Sequence, residues 1–335
     1  MGLKIGILEN RDYDRKHKIL NAAFVEGCKK YDMEYEFIDF HAYDWYEKVM
    51  DPTFDGFFHR AMYWPNEKDM AMEKIYAMEQ AGLIVHPTSN MIMLYENKRA
   101  IAHYLQLNGF PYIPTMVCYK RDEAMIAGEV LGFPIVVKTS LGSSSHGVSI
   151  VRDKEELMAR VDTSFSSGIP SVQKHHLSRH SIEYDSIILQ KFIPNATEWR
   201  ITVCGNKYWG RINDKPTKDF RASGTGLIIY DDPPREVLDI ARRLRVAMKT
   251  DIFCVDILES DGEYYISEFS VLFGTVGTIG GDYKQPMLLN GVKGWYSYDK
   301  WKDKYDFVEG DDQINVARMR VLSRTIERKK RGYDD

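Results

Sequence analysis

The chain has 335 residues, 44% of them hydrophobic and 28% charged, with a formal net charge of −4. That balance describes a globular protein with room for roughly two or three modest domains, and its slight acidity argues against bulk binding to nucleic acid. No stretch approaches the roughly 18 uninterrupted apolar residues of a membrane-spanning helix. The opening "MGLKIGILEN" reads as a strand and lacks the apolar segment of a secretion signal. Cys28, Cys118, Cys204 and Cys254 stand far apart with no CxxC spacing, so neither a zinc site nor a disulfide framework is indicated. A cytoplasmic protein is expected.

The first 88 residues alternate strand and helix patterns. "LKIGIL" is a short apolar strand, residues 16–30 carry a helical repeat, and "YEFIDF" and "DGFFHRA" are further strands. Residues 66–81 read as a helix, and "GLIVHPT" as a fourth strand closed by Pro87. Strands separated by helices imply a parallel sheet with helices on its faces, whose ligands sit at the carboxyl ends of the strands. His59, Arg60 and the following "AMYWPNE" fall in that position. No GxGxxG follows the first strand, so a dinucleotide site is not expected.

Thr88 or Ser89 caps a helix that runs to about residue 108, ends at Gly109 and Pro111, and carries Lys98. "YIPTMVCY" is a strand, 121–131 a helix, and "FPIVVKTS" a strand that brings Lys138 to the loop "LGSSSHG". There Gly142 and Gly147 bracket Ser143, Ser144, Ser145 and His146. Free backbone N–H groups and small hydroxyls are how phosphates are held, while a plain hairpin loop is the alternative. "GVSIV" returns as a strand, and a helix follows near 153–162. The polar stretch 163–184 holds His175, His176 and His180 without metal-ligand spacing.

"SIILQKFI" is again a strand, and "TEWRITVCGNKYWGRI" a hairpin turning at Gly205-Asn206. A helix is expected over 234–249, then a second hairpin in which "DIFCVDIL" and "EYYISEF" flank "SDGE". Strand alternation puts Asp256 on one face of its strand and Glu268 with Ser270 on one face of the other. A two-residue Asp261-Gly262 turn pairs Asp256 with Ser267, whereas a three-residue loop or one bulge pairs it with Glu268. Like charges directly opposite destabilise a sheet, so that second register suggests a cation between them, and oxygen ligands suit magnesium. A final helix over about 312–330 ends in a solvated, mixed-charge tail.

Two lysines, a glycine-serine loop, cations at Arg200, Arg211, Lys215 and Arg221, and an acidic hairpin together suggest a nucleotide triphosphate site without a Walker motif. This order resembles the ATP-grasp superfamily, close in pattern to D-alanine–D-alanine ligases and ribosomal-protein glutamate ligases, from about Thr88 to about Gly281. The resemblance implies an α/β ATP-grasp fold preceded by a parallel-sheet domain. The expected division is 1–88 for that domain, 89–193 for the smaller ATP-grasp part with the phosphate loop, and 194–335 for the part with the metal site.

"NKRAIAHYLQLNGFPYIPT" and "FPIVVKTSLGSSSHGVSIV" are similar to the family's two lysine segments, which implies that Lys98, Lys138, Ser143, Ser144, Ser145 and Gly147 contact phosphates. "LQKFIPNATEW" resembles its adenine segment: Gln190 lies there, Lys191 and Ile193 would pair with adenine through their backbones, and Glu198 would hold the ribose. Lys215 is a further expected nucleotide contact, and Arg200, Arg211 and Arg221 are the expected catalytic cations. Asp256, Glu268 and Ser270 stand where the family binds magnesium. The family's Glu-x-Asn is Glu268-Phe269-Ser270 here, which puts a second metal position in doubt, and "FRASGTG" lacks an asparagine found in the glutamate ligases.

The implied reaction is ATP-dependent joining of a small-molecule carboxylate to an amine through an acyl phosphate. A small-molecule kinase on the same fold and a degenerate nucleotide-binding protein are the alternatives. Tyr63, Trp64, Trp295, Tyr296 and Tyr298 suggest a platform for a sugar or ring, so amino acids, peptides and sugar uronates remain open as substrates, as does a homodimer.

Overall fold

The computed structural model describes residues 2–9, 18–59, 65–142, 147–171, 181–214, 227–273, 287–310 and 312–332. The N-terminal part comprises β1 (Leu3–Glu9), α1 (Lys18–Lys30), β2 (Met33–Asp39), α2 (Trp45–Val49), β3 (Gly56–His59), α3 (Pro65–Gln80) and β4 (Val85–His86). Its strands form a sheet of order β2-β1-β3-β4 in which each pairing is parallel. The buried apolar run Ile5, Ile7 and Leu8 suits a strand covered on both faces.

One helix was expected from residue 88 or 89 to about 108; the structure has two, α4 (Ser89–Leu94) and α5 (Lys98–Leu107). Tyr95 is extended, Glu96 takes a positive φ of 47°, and Asn97 caps α5 by accepting the Ala100 N–H at 3.2 Å. The break makes Lys98 the first residue of a helix.

Next come β5 (Thr115–Cys118), α6 (Arg121–Leu131), β6 (Ile135–Lys138), β7 (Val148–Val151), α7 (Lys154–Ser164), β8 (Ile169–Pro170), β9 (Ile182–Glu183) and β10 (Ile187–Lys191). A second sheet has the order β5-β10-β6-β7, every pair antiparallel. Ala124, Ile135, Val137, Leu157 and Leu189 share its core with both helices.

The third sheet is built from β11 (Thr197–Cys204), β12 (Lys207–Asn213), β13 (Ile228–Ile229), β14 (Ile252–Ser260), β15 (Glu263–Ser270), β16 (Met287–Leu289), β17 (Val292–Asp299) and β18 (Lys304–Glu309). Its main path runs β15-β14-β11-β12-β17-β16. The first hairpin closes at Gly205-Asn206 as expected, with Cys204 opposite Lys207. Trp199, Ile201, Val203, Phe253, Val255 and Ile257 are buried with Leu238, Ala241 and Leu244 of α8 (Arg235–Ala247), so the alternate positions face the other way.

Helix α9 (Ile314–Lys330), grouped in sequence with residues 194–335, returns to the first sheet. Met319, Leu322 and Ile326 lie at 1% exposure or less in one core with Ile5, Phe24 and Phe58. Among the described residues no helix is long and apolar enough to cross a membrane.

Candidate functional site

Cross-strand register assembles one charged row. Arg200 on β11 stands opposite Arg211 on β12 and opposite Asp256 on β14, and Asp256 stands opposite Glu268 on β15. Directly opposed residues share a face, so two cations and two carboxylates run side by side across four strands. The Asp256–Glu268 pairing depends on a bulge. The hairpin closes through a two-residue Asp261-Gly262 turn, with φ of 52° and 79° and Ser260 opposite Glu263. The register then shifts between Asp256 and Ile257, leaving Ser267 as the extra residue. Of the registers open to the sequence, the single bulge is the one formed.

Asp256 is 8% exposed. Burial pushes its carboxyl up to about 7; Arg200 works against this, while Glu198 and Glu268 add to it. Its Oδ2 lies 3.4 Å from Arg200 Nη1, whereas its buried Oδ1 has no hydrogen bond. Arg200 Nη2 also donates to Cys254 Sγ at 3.0 Å. Burial opposes the Arg200 charge, but Asp256 and Cys254 outweigh it and hold the guanidinium above its ordinary range. The Arg211 side chain makes no hydrogen bond or ion pair among the described residues, although Asp256 and Cys254 act on its charge. Burial, then Arg200, brings it down to about 10. A half-buried guanidinium with no ion pair among the described residues is a place for an anion.

On the same face Glu198 accepts from Asn213 Nδ2 at 2.7 Å. The Ser270 hydroxyl donates to the Leu272 carbonyl, so its proton is turned to the backbone.

Helix α5 and the second sheet each bring a lysine to the Glu268 end of this row. Lys98 Nζ lies 4.0 Å from Glu268 Oε1 and donates to the Gly142 carbonyl. Lys138 ends β6; burial lowers its ammonium to about 8, with Glu268 pulling the other way. Both lysines line a cleft with Ile101, Ile188, Gln190, Ile266 and Glu268. Gln190 Nε2 donates to Thr115 Oγ1 at 2.8 Å across β5. The Lys191 N–H donates to the Pro114 carbonyl at 2.9 Å. Ile193 is half-buried two residues further on.

Gly147 has φ of 72°, and a Cβ there would lie 2.0 Å from Thr139 Oγ1, so the end of the loop requires glycine. Ser143, Ser144, Ser145, Lys215 and Arg221 lie outside the described residues, as do Arg60, Tyr63, Trp64 and His146. The expected aromatic platform is not formed by the C-terminal aromatics. Tyr296 is buried edge-on to Phe307 with its hydroxyl bonded to Asp232, Trp295 packs near Trp209 under Lys207, and Tyr298 lies against Tyr305. They fix strands β17 and β18, which the sequence reading did not identify.

Sequence reasoning also passed over Asn97, Ser140 and Glu183. For Asn97 a signal existed, since asparagine before "KRAIAHYL" is a helix cap; the other two are placed by tertiary contacts alone.

The chain matches a RimK-like ATP-grasp domain over residues 109–281. Among curated proteins it is 24% identical over 219 residues to a formate-dependent phosphoribosylglycinamide formyltransferase of Rhodococcus jostii, covering 62% of this chain and 51% of that one. It is 28% identical over 159 residues to a D-alanine–D-alanine ligase of Bacillus anthracis, covering 43% and 45%. The chain thus spans about half the length of these relatives.

Two solved structures share the fold. The Bacillus anthracis D-alanine–D-alanine ligase complexed with ATP superposes with a TM-score of 0.59 at 19% identity, over 82% of this chain and 88% of that one. A RimK-domain ATP-grasp protein of Sphaerobacter thermophilus gives 0.57 at 15% identity, over 96% and 98%. The family match takes in the whole charged row from Arg200 to Glu268, together with Lys138 and the loop that follows it. The chain belongs to the RimK-like ATP-grasp family.

Proposed function

We propose that this protein is an ATP-dependent ligase that joins a carboxylate to an amine through an acyl phosphate. The carrying observation is the Arg211–Arg200–Asp256–Glu268 row, whose Glu268 end shares one cleft with Lys98 and Lys138. The names of the relatives, a formate-dependent formyltransferase and a D-alanine–D-alanine ligase, support it.

In this reading residues 89–193 and 194–335 grip ATP, and residues 1–88 bear on the substrate. Adenine lies along the backbone of Gln190, Lys191 and Ile193, with Glu198 at the ribose. The phosphates meet Lys98, Lys138, Ser143, Ser144, Ser145, Gly147 and Lys215. Asp256 and Glu268 fit magnesium: they are opposed carboxylates, and one buried oxygen of Asp256 lacks any other partner. Among the described residues no group of three or more His, Cys, Asp and Glu side chains comes together, so Asp256 and Glu268 would hold the ion as a pair. Bound there, the ion supplies neutralisation of phosphate charge. Ser270 is the weaker third candidate ligand.

A carboxylate oxygen attacks the γ-phosphorus and ADP leaves. The amine nitrogen then attacks the acyl carbon, phosphate departs with one former carboxylate oxygen, and the nitrogen loses a proton. The protein's part is positioning and neutralisation. Arg200 is already held by Asp256 and Cys254, so Arg211, which has no ion pair among the described residues, takes the phosphoryl oxygens, with Arg221 as a further cation. Four free, buried cysteines suit a reducing cytoplasm.

The test is to supply ATP, magnesium and candidate carboxylates with hydroxylamine. A carboxylate-dependent hydroxamate and ADP support the ligase. ADP with a stable phosphorylated acceptor and no hydroxamate replaces it with a kinase.

A further inference from the structure

The base of the glycine-serine loop is held from behind by a carboxylate. Glu183 on β9 accepts the Ser140 N–H at 2.6 Å through one oxygen and the Leu141 N–H at 2.5 Å through the other. Two successive amides converging on one anion form a strong, charge-assisted contact. Ser140 is fully buried, and its remaining polar atoms are all engaged with the start of α5. Its carbonyl accepts the Lys98 N–H at 2.8 Å, and its hydroxyl donates to Asn97 Oδ1 at 2.8 Å and accepts the Arg99 N–H at 3.4 Å. The far end of the loop closes where the Thr139 N–H donates to the Gly147 carbonyl at 3.0 Å.

Glu183 is itself well anchored. It pairs with Ile169 in the β8–β9 ladder, and two residues on, the Asp185 N–H donates to the Ser164 carbonyl at 3.2 Å. Ser164 Oγ in turn donates to the Ser186 carbonyl at 2.6 Å, and Arg99 Nη1 reaches Ser186 Oγ at 2.7 Å. The carboxylate is therefore delivered by a segment tied to both α7 and α5.

We propose that Glu183 is a positioning residue for nucleotide binding. By clamping Ser140 and Leu141 it fixes the base of the loop against the helix that carries Lys98, so that this base and the lysine meet the phosphates as one unit. This rests on the nucleotide reading of the cleft.

The test compares wild type with Glu183→Gln, which keeps the shape of the side chain, loses its charge and turns one acceptor into a donor. Amide hydrogen exchange at Ser140 and Leu141 should become at least about tenfold faster, the effect of losing a charge-assisted hydrogen bond. The Kd of a non-hydrolysable ATP analogue should rise by about the same factor, while the melting temperature stays nearly unchanged. A purely structural role would lower the melting temperature and leave the analogue's affinity intact. Unchanged exchange, or faster exchange with unchanged affinity, overturns the proposal. A wild type that binds no analogue overturns the nucleotide reading and with it the clamp's purpose, while the exchange rates still decide whether the clamp exists.

Discussion

Lys98 Nζ lies 4.0 Å from Glu268 Oε1, so the first residue of α5 meets the acidic end of the row on the third sheet. The contact joins the two halves that would close on a nucleotide, and it sets two groups of opposite charge where phosphate and a divalent cation would sit.

Glu268→Gln should therefore separate metal from nucleotide. ATP with magnesium should raise the melting temperature of the wild type more than ATP alone. The variant should keep the ATP-alone shift and lose most of the magnesium-dependent part, because the amide removes a charge from the opposed pair. An undiminished magnesium-dependent shift would show that the ion is not held by this hairpin.

The Asp256–Glu268 relation also shows what the sequence could carry. Strand alternation and the Asp-Gly turn were legible, yet the residue facing Asp256 hinged on a bulge at Ser267 that no local propensity dictates. The β11–β12 hairpin was legible to the residue, because Gly205-Asn206 is a strong turn signal flanked by apolar strands. The break at Glu96 was legible only through the cap signal of Asn97, since a glutamate at positive φ gives no warning in composition. Strands β16 to β18 were missed for a related reason: their aromatic residues read equally well as an exposed ligand platform or as packing.

Lys138 gives a pH test. Lysine starts from 10.5, and burial brings this one to about 8 in the folded chain. Between those values the unfolded chain binds more protons, so this group's contribution to stability rises with pH across that window. Phosphate binding needs the charged form, and kcat/KM for ATP should fall above about pH 8. Lys138→Arg keeps the charge and should move that limb upward by more than about one unit. A limb that stays in place would point to Lys68, also brought to about 8 by burial, whose Nζ donates to the Tyr95 carbonyl at 2.5 Å.

Gly147→Ala adds a Cβ where Thr139 Oγ1 lies 2.0 Å away, at a φ of 72° that costs an ordinary residue about 1 kcal/mol before any clash. The strain falls on the loop's exit, so ATP affinity should drop about tenfold or more, read by calorimetry with a non-hydrolysable analogue. Wild-type affinity in this variant would exclude the loop from phosphate binding.

Ile326→Ala tests the return of α9 to the first sheet. Ile326 has no exposure and contacts the position of Gly56, so truncation should cost about 2–5 kcal/mol in denaturant unfolding. The KM for ATP should not change, because the residue lies outside the cleft. A loss below about 0.5 kcal/mol would mean that α9 is not docked there in solution.

Oxygen transfer reads most directly whether ATP activates a carboxylate. A carboxylate substrate that supports ADP release in the presence of an amine is prepared with ¹⁸O in its carboxyl group, and the released phosphate is examined by mass spectrometry. Attack on the γ-phosphorus followed by amide formation must leave one carboxyl oxygen in the phosphate, so one ¹⁸O per phosphate is the predicted result. Phosphate free of the label, with its new oxygen drawn from water, or a γ-phosphoryl group found on a hydroxyl acceptor, would show that no acyl phosphate is formed.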